Sequence, residues 1–146
     1  MLIFYQRVSS TPFNKLFGKS MIAQYELNFG TVYVFDTFLM SIIDEDVAFR
    51  TEENNKLLHI SRKHFKDRPY GYISYRAYSY SVDPVVYVES SKETNLVAIA
   101  VVAMDPINKL GVSVEKLFFN RELKYFENID DAKKWIKQTL KYSACS

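Results

Sequence analysis

From residue 21 onward the chain alternates in polarity. Tyr25, Leu27 and Phe29 are interleaved with Gln24, Glu26 and Asn28, the period of two that marks a half-buried strand. Gly30-Thr31 supplies a turn. Residues 32–43, VYVFDTFLMSII, are β-branched and aromatic but broken at Asp36-Thr37, which predicts one long bent strand or two short ones paired antiparallel. Thr51 ahead of Glu52 and Glu53 reads as a helix N-cap with acids in the first turn, where they complement the orphan N–H groups. Leu57, Leu58, Ser61 and Phe65 then share one helical face, and Lys66 and Arg68 precede a stop at Pro69.

Residues 70–76 return to strand period, with Gly71, Ile73 and Tyr75 on one side and Tyr70, Tyr72 and Ser74 on the other. The next eight residues, AYSYSVDP, read as a loop. LVAIAVVA, residues 96–103, is apolar without alternation, as expected of a strand covered on both faces. Ile107, Leu110, Val114, Leu117 and Phe118 form a helical stripe despite Gly111, and the spacing predicts that this stripe packs on the sheet. LKYF, residues 123–126, is a short strand. Asn128 with Asp131 caps a last helix whose apolar face is Ala132, Trp135, Ile136 and Leu140.

The element order predicts an α/β domain: a small mixed sheet of about five strands, an antiparallel meander followed by parallel strands, with helices packed on it. Right-handed crossovers make strands 70–76, 96–103 and 123–126 parallel. At 146 residues the chain has the size of one domain, here placed at 21–146. Residues 1–20 carry Arg7, Lys15 and Lys19 without an acid or a sustained period, and read as an arm. Met21 opens the patterned part, so translation starting there is an alternative. The apolar opening MLIFY is too short for a signal-peptide core, and no run has the roughly 18 apolar residues of a membrane span.

Composition narrows function mainly by exclusion. A net charge of +2 is far from that of a dedicated nucleic-acid binder, so base stacking on the tyrosines is disfavoured. The single cysteine, Cys145, forms no internal disulfide and no multi-cysteine metal site, and fits a cytoplasmic setting. His59 and His64 lie five apart on the predicted helix, off the four-residue spacing of a shared metal face. The four glycines form no phosphate-cradling cluster, and no G-x-S-x-G elbow occurs. Asp44, Glu45 and Asp46 read as a solvated turn. No enzyme and no cofactor is implied.

YISYRAYSYSVDP, NLVAIAVVA, the amphipathic segment ending EKLFFN, and LKYFENIDDAKKWI together resemble the SpoIIAA-like, STAS-type domains of small bacterial proteins. The resemblance spans Tyr25 to Leu140. Its most specific part is the close, with Phe126, Asn128, Ala132 and Trp135-Ile136. It implies a fold shared in outline with anti-sigma-factor antagonists and CRAL-TRIO lipid carriers, and no particular reaction. Antagonists of this type carry a switch serine in a D-S-S-G pattern. Ser79 and Ser81 stand in the similar loop here without the flanking aspartate and glycine.

Five tyrosines within residues 70–80 are the remaining oddity. In one reading Tyr78, Tyr80, Val85, Val86 and Tyr87, with Ser79, Ser81 and Arg76 as a hot spot, form a protein–protein surface for a regulatory partner or a second copy. In another the same residues wall an apolar pocket for a lipid-like ligand. In a third they are sheet and core residues of a tyrosine-rich protein. The expectation carried forward is a noncatalytic interaction or regulatory module, with the lipid carrier as its alternative. The loop lies just past a strand end, where α/β sheets place their sites.

Overall fold

The computed structural model describes residues 4–6 and 21–144. Strands β1 (Phe4–Gln6), β2 (Met21–Leu27), β3 (Gly30–Phe35) and β4 (Phe38–Ile43) form an antiparallel meander. Asp36-Thr37 therefore divides residues 32–43 into two strands. At the β2–β3 turn Gly30 has φ 155°, and a Cβ there would run into the Ile42 carbonyl of β4. Of the predicted arm, Phe4–Gln6 adds an edge strand, and residues 1–3 and 7–20 lie outside the described residues.

After the two-residue strand β5 (Ala48–Phe49), helix α1 (Thr51–Phe65) leads to β6 (Tyr70–Tyr75). The N-cap position of α1 is Arg50, one residue before the expected Thr51, and the Arg50 N–H donates to Glu53 Oε1 at 2.8 Å. A short strand β7 (Ser81–Val82) and helix α2 (Val85–Ser90) precede β8 (Leu96–Val102). Helix α3 (Pro106–Glu115) and a 3-10 turn (Lys116–Phe118) lead to β9 (Glu122–Phe126), and α4 (Ile129–Ala144) follows. The main sheet has the order β1-β2-β3-β4-β6-β8-β9, with β4, β6, β8 and β9 parallel. The class is the expected one, α/β with an antiparallel half and a parallel half. Six strands come from residues 21–126 and β1 adds a seventh.

Each crossover of the parallel half steps one strand further in the same direction, so right-handed connections place α1, α2 and α3 on one face. There Leu57, Ile60, Phe65, Val86 and Val112 pack on Val34, Leu39, Ile99 and Val101. The opposite face is covered by α4, where Ala132 and Ile136 meet Phe35, Met40, Ile73 and Ala100. Gly71 lets α4 approach: a Cβ on it would lie 2.6 Å from Ile136 Cγ2. Asn128 Oδ1 caps α4 by accepting the Asp131 N–H at 2.9 Å.

Two expectations are corrected. Residues 85–90, between the predicted loop and the strand at 96–103 and without a predicted helix, form α2, a helix too short to show a period; Asp83 Oδ1 accepts the Val85 N–H at its start. Leu110, Val114, Leu117 and Phe118 of the α3 stripe do not pack on the sheet, and the side chain of Ile107 lies outside those described. Leu110 and Leu117 are 75% and 82% exposed and Val114 is 52% exposed, whereas Val112 and Glu115 are buried. At 100° per residue the two sets lie on opposite sides of the helix. The buried side carries Glu115 with an inward partner, described next.

Candidate functional site

Arg76 follows the last residue of β6, and its side chain turns inward beneath α3. Its Nη2 donates to Glu115 Oε1 at 2.5 Å and to the Tyr87 hydroxyl at 3.2 Å, and Tyr87 donates to the same carboxylate oxygen at 2.7 Å. The guanidinium also lies 5.7 Å from the Tyr80 ring centroid, and the Tyr80 hydroxyl is 3.0 Å from Ser74 Oγ. One side chain of β6's end thus ties α2, α3 and the loop together. Glu115 Oε2 is buried without a donor among the described residues.

The electrostatics of this cluster are those of a fixed tie. Burial on its own would lower the Arg76 pKa, but Tyr80, Tyr87 and Glu115 outweigh it and hold the guanidinium charged. Burial, then the Glu115 charge, pushes the Tyr87 hydroxyl well above its ordinary value. Deeper along the sheet the Tyr72 hydroxyl is 2.5 Å from Ser41 Oγ, and burial raises its pKa as well. None of these shifts brings a group toward neutral pH, where general acid–base catalysis works best.

The eight residues singled out in sequence separate into two sets. Arg76, Tyr80, Val86 and Tyr87 are buried or partly buried, with Val86 and Tyr87 in the core beneath α2. Tyr78, Ser79, Ser81 and Val85 are exposed. The loop is itself structured. β7 pairs in parallel with β5, and the Asp46 N–H donates to the Ser79 carbonyl at 2.8 Å. Asp44, Glu45 and Asp46 are exposed in the turn bound to that loop.

A larger surface feature was missed in sequence. Met104, Leu110, Val114, Leu117 and Phe118 are exposed on or beside α3, and Val85 and Val88 are exposed on α2. The two helices are joined through the chain beyond α3: the Asn120 N–H donates to Ser91 Oγ, and Arg121 Nη2 to the Ser91 and Glu93 carbonyls. Lys109 and Lys116 are exposed beside this apolar face. The signal was in the sequence, since Val112, Glu115 and Phe119 also recur at helical spacing. An apolar stripe outvoted them because Glu115 was not matched with Arg76.

Two open clefts lie at the carboxyl ends of the parallel strands. One, about 470 Å³, is bounded by Tyr75, Arg76, Val102, Met104, Asp105 and Ile129. The other, about 480 Å³, runs between α3 and β9 and is lined by charges of both signs, Lys109, Lys116 and Lys124 with Glu127 and Asp131. Between α1 and the sheet, Leu39, Leu57, Tyr70, Tyr72 and Leu96 enclose about 20 Å³, room for a water molecule and not for a lipid chain.

His59 is exposed, while His64 Nε2 is 2.6 Å from the Tyr25 hydroxyl, so the two histidines do not converge. Among the described residues no three His, Cys, Asp or Glu side chains gather as a metal site requires, and no helix is long and apolar enough to cross a membrane. Cys145 lies outside the described residues. No family model matches the chain, and no curated protein matches its sequence.

Proposed function

We propose that this chain is a noncatalytic, STAS-type interaction module that works in the cytoplasm by docking a protein partner on the outer face of its helix layer. The observation that carries the reading is the exposure of Leu110, Val114 and Leu117 on a helix whose one acid is turned inward. Contiguous exposed apolar side chains on a soluble fold mark interaction surfaces. Val85 of the sequence-derived set belongs to this face, with Tyr78 on the loop preceding α2.

The test compares the tagged protein with its Leu110→Ser/Leu117→Ser variant, each purified from the native host and weighed intact by native mass spectrometry. The expected result is a protein complex with the parent chain, absent from an equally stable variant. A retained hydrophobic small molecule, or identical complexes from both chains, would overturn the reading.

A further inference from the structure

Helix α3 is held to the body of the fold by unusual means. A helix lying on a sheet ordinarily buries about three to four apolar side chains per two turns. Helix α1 does so with Leu57, Leu58, Ile60 and Phe65. Of residues 109–116, only Val112 and Glu115 are buried, and the rest are exposed. Gly111, in the middle of this stretch, weakens the helix further, since glycine is a poor helix former. Lifting α3 therefore forfeits little apolar burial from these residues. What must break is the join at its last residue, where Glu115 Oε1 accepts from Arg76 Nη2 and from the Tyr87 hydroxyl. Both donors belong to other parts of the chain, one just past β6 and one on α2.

There is room around the helix. The clefts of about 470 and 480 Å³ both reach Glu127 and Asn128. Helix α3 borders the larger one, and Met104 and Asp105, just ahead of the helix, border the other. The connections also part here: β8 runs into α3 on one face of the sheet, and β9 runs into α4 on the opposite face. Such a parting forms a crevice at the carboxyl ends of parallel strands, the place where α/β sheets bind their ligands.

We propose that α3 is a lid over this crevice, latched by Glu115 to Arg76 and Tyr87, and that it opens as one local unit while the rest of the fold stays closed. Opening joins the two clefts and uncovers the Arg76 guanidinium. The motion does not depend on what docks on the outer face of the helix.

The test is native-state hydrogen exchange of the full chain, followed residue by residue by NMR as urea is raised below the unfolding transition. The expected result is that the amides of residues 110–115 share one rate, faster than those of α1 and nearly independent of urea, because a local opening exposes little surface. The α1 amides should quicken steeply with urea. Tyr87→Phe, which removes one donor to Glu115, should speed the urea-independent exchange of α3 about tenfold. Glu115→Gln, which keeps the shape and weakens both bonds, gives a second measure of the same latch. A urea dependence of α3 as steep as that of α1, or a gradient of rates from one end of the helix as in simple fraying, would overturn the lid. An α3 rate unchanged in both variants would overturn the latch.

Discussion

Arg76 Nη2 and Glu115 Oε1 stand 2.5 Å apart with both side chains less than one-tenth exposed, joining the end of β6 to the last turn of α3. The pair lies on the side of α3 that also buries Val112, opposite the exposed Leu110 and Val114. Removing one partner of a buried pair leaves an uncompensated charge, a loss of about 3–5 kcal/mol. Glu115→Ala should show a loss of this size in urea unfolding. Replacing the cluster together, as Arg76→Met, Glu115→Leu and Tyr87→Phe, should cost much less than the sum of the single changes, and an additive result would count against the tie.

Gly71 and Ile136 form a second coupled pair. Gly71→Ala forces a Cβ against Ile136 Cγ2 and should destabilise the fold by about 1–3 kcal/mol, the usual range for overpacking. Ile136→Ala removes the obstructing atoms at the cost of a cavity. The double variant should therefore be more stable than additivity allows, a difference that a thermodynamic cycle measures directly.

His64 makes stability depend on pH. Burial, then the Lys63 charge, lowers its pKa in the folded protein. The unfolded chain then takes up the proton more readily. The contribution of His64 is present above about pH 6.5 and is lost as pH falls through the lowered folded value. Unfolding free energy should decline on acidification with a slope of at most about 1.4 kcal/mol per pH unit from this group. His64→Gln, with His59 retained in both proteins, should remove that part of the slope; identical pH profiles would refute it.

At the alkaline end the sign reverses. Burial pushes both Tyr33 and Tyr70 up to about 12, Tyr33 with help from the Glu26 charge, while the unfolded phenols ionise near 10.0. The folded state keeps protons the unfolded chain has released. Stability from these groups is complete below about pH 10 and lost as pH climbs toward 12. Absorbance titration should show a late phenolate phase, reduced in Tyr33→Phe and in Tyr70→Phe.

The core of the fold was legible because its signals are periodic and local. The unbroken apolar run of β8, the alternation of β6, and the Asn128 cap ahead of Ala132 and Ile136 all appear where the sequence placed them. What could not be seen was decided by single long-range contacts. Arg76 to Glu115 spans thirty-nine positions, and the side of α3 that carries Glu115, with Val112 and Phe119, is the buried one, so that residues read as core are exposed. Arg76 looked like a hot spot because an arginine after a strand end is equally suited to a partner and to an internal carboxylate. Helix α2 was invisible for another reason, since its six residues are rich in valine and complete fewer than two turns.

The pairing of β7 with β5 also bears on the serines of the loop. Because the Ser79 carbonyl accepts the Asp46 N–H, Asp44, Glu45 and Asp46 belong to the segment that holds the loop. A phosphoryl group on Ser79 or Ser81 would add a charge of about −1.5 to −2 to a loop whose backbone is bound to the turn that carries these three exposed carboxylates. Such a mark would act by repulsion, loosening the join between the loop and the start of α1, and its effect would fade as salt is added.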